Sequence, residues 1–195
     1  MLALAGALAA GCTPGPLPAA RQPLSLDHVP IVYDNNVQDS FTINDAQWSE
    51  ISGLFETACD APSERQAIAQ AVARLEQIAG EQTPIGNDER KDFGHGPGLV
   101  DCLDDSANTT VFLRLMDERG LLKHHRPMNR AFRSFWCFDI SHYTATIQEL
   151  ENERCWAVDS WFNANGIPPV IQPLGDWLRK KVVPGYYAND ATGPF

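Results

Sequence analysis

A cysteine, a histidine and an aspartate stand in the order, and on the predicted elements, that a thiol nucleophile requires. Cys102 lies where a glycine-rich loop turns into a helix, His142 opens a strand pattern (SHYTATIQ), and Asp159 lies in the next strand pattern (RCWAVDSW). The N–H groups and dipole of a helix N-terminus favour a thiolate, an imidazole can take the proton, and a carboxylate can orient the imidazole. These residues predict a hydrolase or acyl transferase in which the pKa of the Cys102 thiol lies below its ordinary value.

The two strand patterns predict a hairpin, and its register decides whether His142 and Asp159 can meet. The patterns are separated by the segment 150–153 (LENE). Counting outward from a two-residue turn at the centre of this segment, Thr144 faces Asp159. His142 and Asp159 then share one face as diagonal neighbours, roughly 7–8 Å apart at Cα. A loop of odd length would put them on opposite faces of the sheet.

Helical patterns precede this hairpin and change to a strand period along the chain. Asn44 with Gln47 is a capping signal for the first helix, and the second and third end before Gly80 and Gly120. This order predicts an α+β fold in which the cysteine helix packs on an antiparallel sheet. The helices are predicted over about 45–58, 64–79 and 102–119, and the strands over 143–149, 154–161 and, more weakly, 133–138.

The first residues predict export and a lipid anchor. Residues 1–11 (MLALAGALAAG) are uncharged and apolar, too short to span a bilayer and typical of a signal peptide. Together with Cys12 they end in LAAGC, which resembles a bacterial lipobox, so residues 1–12 are interpreted as a signal segment that ends in a lipidated cysteine. Thr13 implies, by resemblance to the bacterial sorting pattern, an outer-membrane lipoprotein on the periplasmic side of the envelope. An ordinary cleaved signal or an apolar tail is the alternative.

The remainder of the chain is expected to comprise a tether and one domain. Residues 13–30 are rich in proline and alanine without periodicity, which is typical of a flexible linker, and residues 31–195 show no repeat or composition shift. The net charge of −10 argues against a nucleic acid as the main partner. The predicted partners are a peptide or protein substrate and, through the anchor alone, a membrane.

The residues around the cysteine resemble a known superfamily. The segment 98–120 is similar to the cysteine helix of the transglutaminase-like, papain-type proteins, with Gly98, Cys102, Asp104, Ala107 and Gly120 at the matching positions. His142-Tyr143 and Trp156-Ala157-Val158-Asp159 resemble the strands of that family that carry His-aromatic and Trp-x-x-Asp. The nearest likeness is to the bacterial transglutaminase-like cysteine proteinases, on the basis of Trp48 and Asp101-Cys102-Leu103-Asp104.

The resemblance covers about residues 42–162 and implies a papain-like fold that acts on peptide or amide bonds. It implies that Cys102 is the nucleophile, His142 the base and Asp159 the residue that orients the base. A catalytically silent lipoprotein that binds a peptide or envelope protein with the same fold is the alternative. In the proteinases an acidic residue follows the cysteine and belongs to a calcium site in some members. Leu103 stands there in this chain, so no metal or cofactor is predicted.

Further residues concern the oxyanion hole, metal binding, disulfide formation and aromatic packing. The oxyanion donors are expected to be the Cys102 N–H and a side chain from Asn87 or His95. His124 and His125 are adjacent and share no face, so a metal pair is not predicted. Further thiols allow at most one disulfide if Cys102 is the nucleophile, and its pairing stays open among Cys59, Cys137 and Cys155. A group of aromatic residues lines a groove or packs in the core, namely Trp156, Trp161, Phe162 and Trp177.

Overall fold

The structure is a computed structural model that describes residues 15, 17, 22–34, 37–87, 100–135 and 140–179. The predictions for Cys12, His95 and Cys137 lie outside these residues. Within the described part of the chain, no helix combines the length and the apolar character needed to cross a bilayer.

The described elements form an α+β fold with an antiparallel sheet, as the periodicity predicts. An antiparallel hairpin, β1 (Val29–Tyr33) and β2 (Val37–Phe41), is followed by α1 (Asp45–Gly53), α2 (Ala61–Gly80), a 3-10 turn (Pro84–Asn87) and α3 (Cys102–Glu118). Four antiparallel strands then pair in chain order, β3 (His125–Phe135), β4 (Ile140–Glu149), β5 (Cys155–Asp159) and β6 (Val170–Pro173), before α4 (Leu174–Leu178).

The helices begin at capping residues. Asn44 and Gln47 form the predicted capping box at α1, with both side chain to backbone hydrogen bonds at 2.9 Å. The second helix begins earlier than predicted, because the cap is Asp60, whose carboxylate accepts from the N–H of Ser63. The third helix begins at Cys102, as predicted.

The sheet has a different apolar layer on each face. One face packs against α2, α3 and the β1–β2 hairpin in the main core, which includes Ala145, Ile147, Trp156, Val158 and Ile171 of the sheet. The other face forms a smaller cluster with α4, composed of Ala131, Cys155, Ala157, Leu174 and Trp177. Because side chains alternate along each strand, His142 and Asp159 lie on the face that α4 covers.

The structure differs from the sequence prediction in further segments. The first helix, predicted over about 45–58, ends at Gly53. Ordered contacts reach into the segment assigned to the tether, where the Leu24 N–H donates to Glu118 Oε2 at 2.7 Å and Ser25 bridges to His28. The strand expected near 133–138 begins eight residues earlier, at His125.

A buried carboxylate fixes the connection between α3 and β3. Glu64 in the first turn of α2 is 1% exposed, and it accepts hydrogen bonds from the Lys123 N–H at 2.7 Å, the His124 N–H at 3.0 Å and His125 Nδ1 at 2.9 Å. Burial raises the pKa of Glu64, but these hydrogen bonds outweigh burial and hold the pKa below its usual range.

A second buried carboxylate belongs to the same end of the sheet. Glu149 Oε2 accepts from Arg65 at 3.0 Å and from Trp156 Nε1 at 3.2 Å. The Arg65 guanidinium lies 3.7 Å from the centre of the Trp156 ring. This indole–carboxylate pair lies at the opposite end of β4 from His142.

Candidate active site

The hairpin register brings His142 and Asp159 together as predicted. Ala145 pairs with Val158, and the Glu149 N–H donates to the Arg154 carbonyl at 2.8 Å across the turn. The strand register predicted by counting residues outward from the turn is therefore confirmed. His142 Nε2 lies 2.8 Å from Asp159 Oδ2, and the two side chains are almost fully buried. An ionised carboxylate can only accept hydrogen bonds. In this contact Nε2 is therefore the protonated nitrogen of the ring, and its N–H donates a hydrogen bond to Asp159.

Trp177 is a member of the site that sequence reasoning did not assign. Its indole Nε1 donates to Asp159 Oδ2 at 2.6 Å, so this one oxygen accepts from both the indole and the imidazole. Trp177 is 0% exposed and lies on α4, and its carbonyl accepts from the Arg133 guanidinium. The aromatic side chains of Trp161, Phe162 and Trp177 surround the His142 ring with centroid distances of 4.8, 5.2 and 5.5 Å.

This arrangement leaves one ring nitrogen of His142 free to take a proton. Because Nε2 is held by Asp159, the neutral imidazole has its lone pair on Nδ1. Nδ1 is buried, and among the described residues it has no hydrogen-bond partner. A buried polar atom without a partner is costly, which makes this nitrogen a candidate functional atom.

Cys102, the first residue of α3, lies near the same strand. The N–H of Tyr143, the residue after His142, lowers the pKa of the Cys102 thiol and the charge of Asp159 raises it, so both groups lie within electrostatic range of the sulfur. Within the described chain, β4 is paired with β3 as far as Ile140 but with β5 only from Ala145 onward. β4 and β5 therefore separate beyond the Ala145–Val158 pair, close to Tyr143, whose N–H lies near the Cys102 thiol.

Hydrogen bonds from α3 hold the end of β5 at the cysteine helix. Ser160 follows Asp159 directly, and its hydroxyl donates to the Asp105 carboxylate at 3.0 and 3.1 Å. The same hydroxyl lies 2.8 Å from the Thr109 hydroxyl. Asp105 and Thr109 lie in α3, so one helix carries the thiol and also fixes the position of the strand that carries Asp159.

The prediction of a lowered pKa for the Cys102 thiol is wrong. Burial raises the pKa of Cys102, the Tyr143 N–H lowers it, and the negative charges of Asp101, Asp159 and Asp105 raise it further. Asp101 caps α3, where its carboxylate accepts from the N–H groups of Leu103 and Asp104 at 2.8 and 2.9 Å, so an acidic side chain already occupies the helix N-terminus that was expected to favour a thiolate. Burial and the neighbouring carboxylates therefore disfavour the thiolate form of Cys102.

The other residues that the sequence analysis considered are not among the contacts of the His142–Asp159 pair. Asn87 is an exposed residue at the end of the 3-10 turn. Cys59 and Cys155 are free thiols, the first exposed and the second buried. Among the described residues, no three His, Cys, Asp or Glu side chains are grouped in a way that could hold a metal ion. His125 is a buried partner of Glu64.

Comparison with known proteins adds no relative. No family model matches the chain, and no curated protein or solved structure matches it. The functional interpretation therefore depends on the geometry of the site and on the sequence resemblance.

Proposed function

We propose that the chain is a cysteine hydrolase or acyl transferase of transglutaminase-like, papain-type fold that acts on peptide or amide bonds. Cys102 is the nucleophile, His142 the base and Asp159 the residue that orients the base. The observation that carries this proposal is the buried His142–Asp159 pair with a partnerless Nδ1, on a strand whose next residue, Tyr143, is close enough to Cys102 for its N–H to lower the pKa of the thiol.

The raised pKa of the thiol decides how the reaction begins. A neutral thiol at rest requires that its proton move to His142 Nδ1 as the sulfur attacks the carbonyl carbon. The resulting imidazolium is stabilised by Asp159 and returns the proton to the leaving amine as the C–N bond breaks. A thioester on Cys102 remains, and water or a second amine resolves it with His142 again as the base.

The position of the protein in the cell is part of the proposal. Lipidation of Cys12 would hold the domain at the periplasmic face of the outer membrane, where its substrate would be an envelope peptide or protein. Treatment of expressing cells with globomycin, which blocks removal of lipoprotein signal segments, should cause an unprocessed precursor to accumulate. Unchanged mobility of the protein would reject the lipid anchor and leave the catalytic proposal intact.

An activated ester tests the catalytic proposal. p-Nitrophenyl acetate should acetylate Cys102 faster than Cys59, the exposed free thiol that serves as an internal reference within each sample. Peptide mass spectrometry assigns the acetyl group to its cysteine, and buried Cys155 reports any unfolding. His142→Ala should slow acetylation of Cys102 by on the order of 10²-fold at pH 7, and leave that of Cys59 unchanged.

A second variant separates orientation from proton transfer. Asp159→Asn should slow acetylation less than His142→Ala, because the proton acceptor remains and only its tautomer and orientation are disturbed. Acetylation of Cys102 that is no faster than that of Cys59, and is insensitive to His142→Ala, would reject the enzyme. The alternative, a silent lipoprotein that binds a peptide or envelope protein, would then stand, and the burial and acidic surroundings of the thiol would be its support.

A further inference from the structure

An apolar surface lies directly beside the thiol, and the proposed chemistry does not use it. Leu103, which follows Cys102, is 43% exposed, and Phe132 on β3 is 60% exposed. Phe132 pairs across the strands with Tyr143, and their rings stack with centroids 5.8 Å apart and planes 30° apart. Leu103 is the next residue after Cys102, and the Tyr143 N–H is close enough to the sulfur to lower the pKa of the thiol, so the surface begins at the proposed nucleophile.

Arg130 joins the two parts of this surface. Its guanidinium donates to the Leu103 carbonyl at 2.8 Å and to the Ser106 hydroxyl at 3.3 Å. The centre of the guanidinium lies 5.9 Å from the centre of the Tyr143 ring. These contacts fix the start of α3 against β3 and β4, so Leu103 and the stacked rings form a preorganised surface before any ligand arrives.

Continuity with the thiol distinguishes this surface from other exposed apolar residues. Single exposed apolar side chains are normal, whereas a contiguous patch with a polar rim marks a binding site. Leu150 and Ile167 are 48% and 47% exposed, which is similar to Leu103, but they lie in the β4–β5 turn and the β5–β6 loop. They provide matched controls on the same protein.

We infer that Leu103, Phe132 and Tyr143 receive a large apolar, preferably aromatic, side chain adjacent to the scissile carbonyl of the acyl donor. The inference rests on the proposed function and specifies its substrate class. Aromatic rings pack well in offset-stacked and edge-to-face geometries, and the tilted Phe132–Tyr143 pair offers both a ring face and an edge.

Amino-acid esters that differ only in the side chain test the inference. The probes are the p-nitrophenyl esters of N-acetyl-phenylalanine and N-acetyl-alanine. In each case the sulfur forms a bond to the carbonyl carbon, the C–O bond to nitrophenolate breaks, and the thiol proton moves to His142. The wild-type protein should acylate Cys102 with the phenylalanine ester on the order of tenfold faster than with the alanine ester, relative to Cys59 in the same sample.

Substitution of Phe132 should remove this preference without removing the chemistry. Phe132→Ala should bring the ratio of the two rates close to one, and Leu103→Ala should lower it, whereas Leu150→Ala should leave it at the wild-type value. Acetylation by p-nitrophenyl acetate, which has no side chain, should continue in Phe132→Ala and reports on the proposed function alone. Equal rates for the two esters in the wild type, or an unchanged preference in Phe132→Ala, would overturn the inference. Acylation of wild-type Cys102 that is no faster than that of Cys59 with all three esters would instead overturn the proposed function.

Discussion

Replacement of Trp177 by phenylalanine removes one of the two donors on Asp159 Oδ2 and keeps an aromatic ring on α4. The indole N–H donates to this oxygen at 2.6 Å from a side chain that is 0% exposed. After the change, His142 Nε2 is the remaining partner of Oδ2, and Oδ1 already has none among the described residues. The carboxylate therefore loses one of the two contacts that restrict its rotation about χ2.

Two contributions set the magnitude. A hydrogen bond to a charged acceptor contributes about 1.5–3 kcal/mol. The smaller ring leaves roughly 40 Å³ unfilled, which costs about 1 kcal/mol at about 24 cal/mol per Å³. The free energy of unfolding should fall by about 2.5–4 kcal/mol, less than the stability of a typical domain, so the variant remains folded.

Urea unfolding followed by circular dichroism measures the loss of stability, and acetylation of Cys102 measures the effect on the site. Trp156→Phe is the matched control, because Trp156 is also buried and its indole donates to a carboxylate, Glu149, at 3.2 Å. Both variants should lose stability. Only Trp177→Phe should slow acetylation of Cys102 and alter its pH dependence, because only that indole contacts the partner of His142.

Two results would contradict this reasoning. An unfolding free energy of Trp177→Phe within 1 kcal/mol of the wild-type value would mean that the indole–carboxylate bond adds little to the fold. Equal acetylation rates in Trp177→Phe and Trp156→Phe would mean that the Trp177 indole does not position His142 through Asp159.

Asp101→Asn should retain the cap of α3 and lower the pKa of Cys102, since it removes a negative charge that raises that pKa, and the pH profile of alkylation should move to lower pH. The pKa of Glu64 is lowered in the folded state, so its stabilisation is present above the unfolded value of about 4.3 and is lost as the pH falls. Urea unfolding below that pH should show the wild type losing stability more steeply than Glu64→Gln. Gly166→Ala should cost more unfolding free energy than Gly120→Ala, by at least about 1 kcal/mol, because both residues have positive φ but a Cβ has open space only at Gly120.

Local patterns predict the elements that carry the candidate site. The capping signals of α1, the start of α3 at Cys102 and the register of the β4–β5 hairpin depend on residues close together in the chain. The register follows from counting residues in a short turn, and it is what places His142 beside Asp159. The sequence could therefore predict this contact.

Contacts between distant residues could not be predicted in the same way. Trp177 reaches Asp159 only because α4 packs on one face of the sheet, and no spacing in the sequence specifies that packing. The contact of Glu64 with His125 joins residues 61 positions apart. The error about the Cys102 thiol has a similar origin, because its burial and the charge of Asp159 depend on tertiary structure.

The closeness of the Tyr143 amide to the Cys102 thiol gives the protein its own spectroscopic reporter. A backbone N–H near enough to lower the pKa of a thiol is sensitive to the charge and substitution of its sulfur, so the proton chemical shift of this amide should follow ionisation or acylation of the thiol. In an ¹⁵N-labelled sample this one amide would record the state of the nucleophile during turnover, without a chromophore or a probe attached to the cysteine.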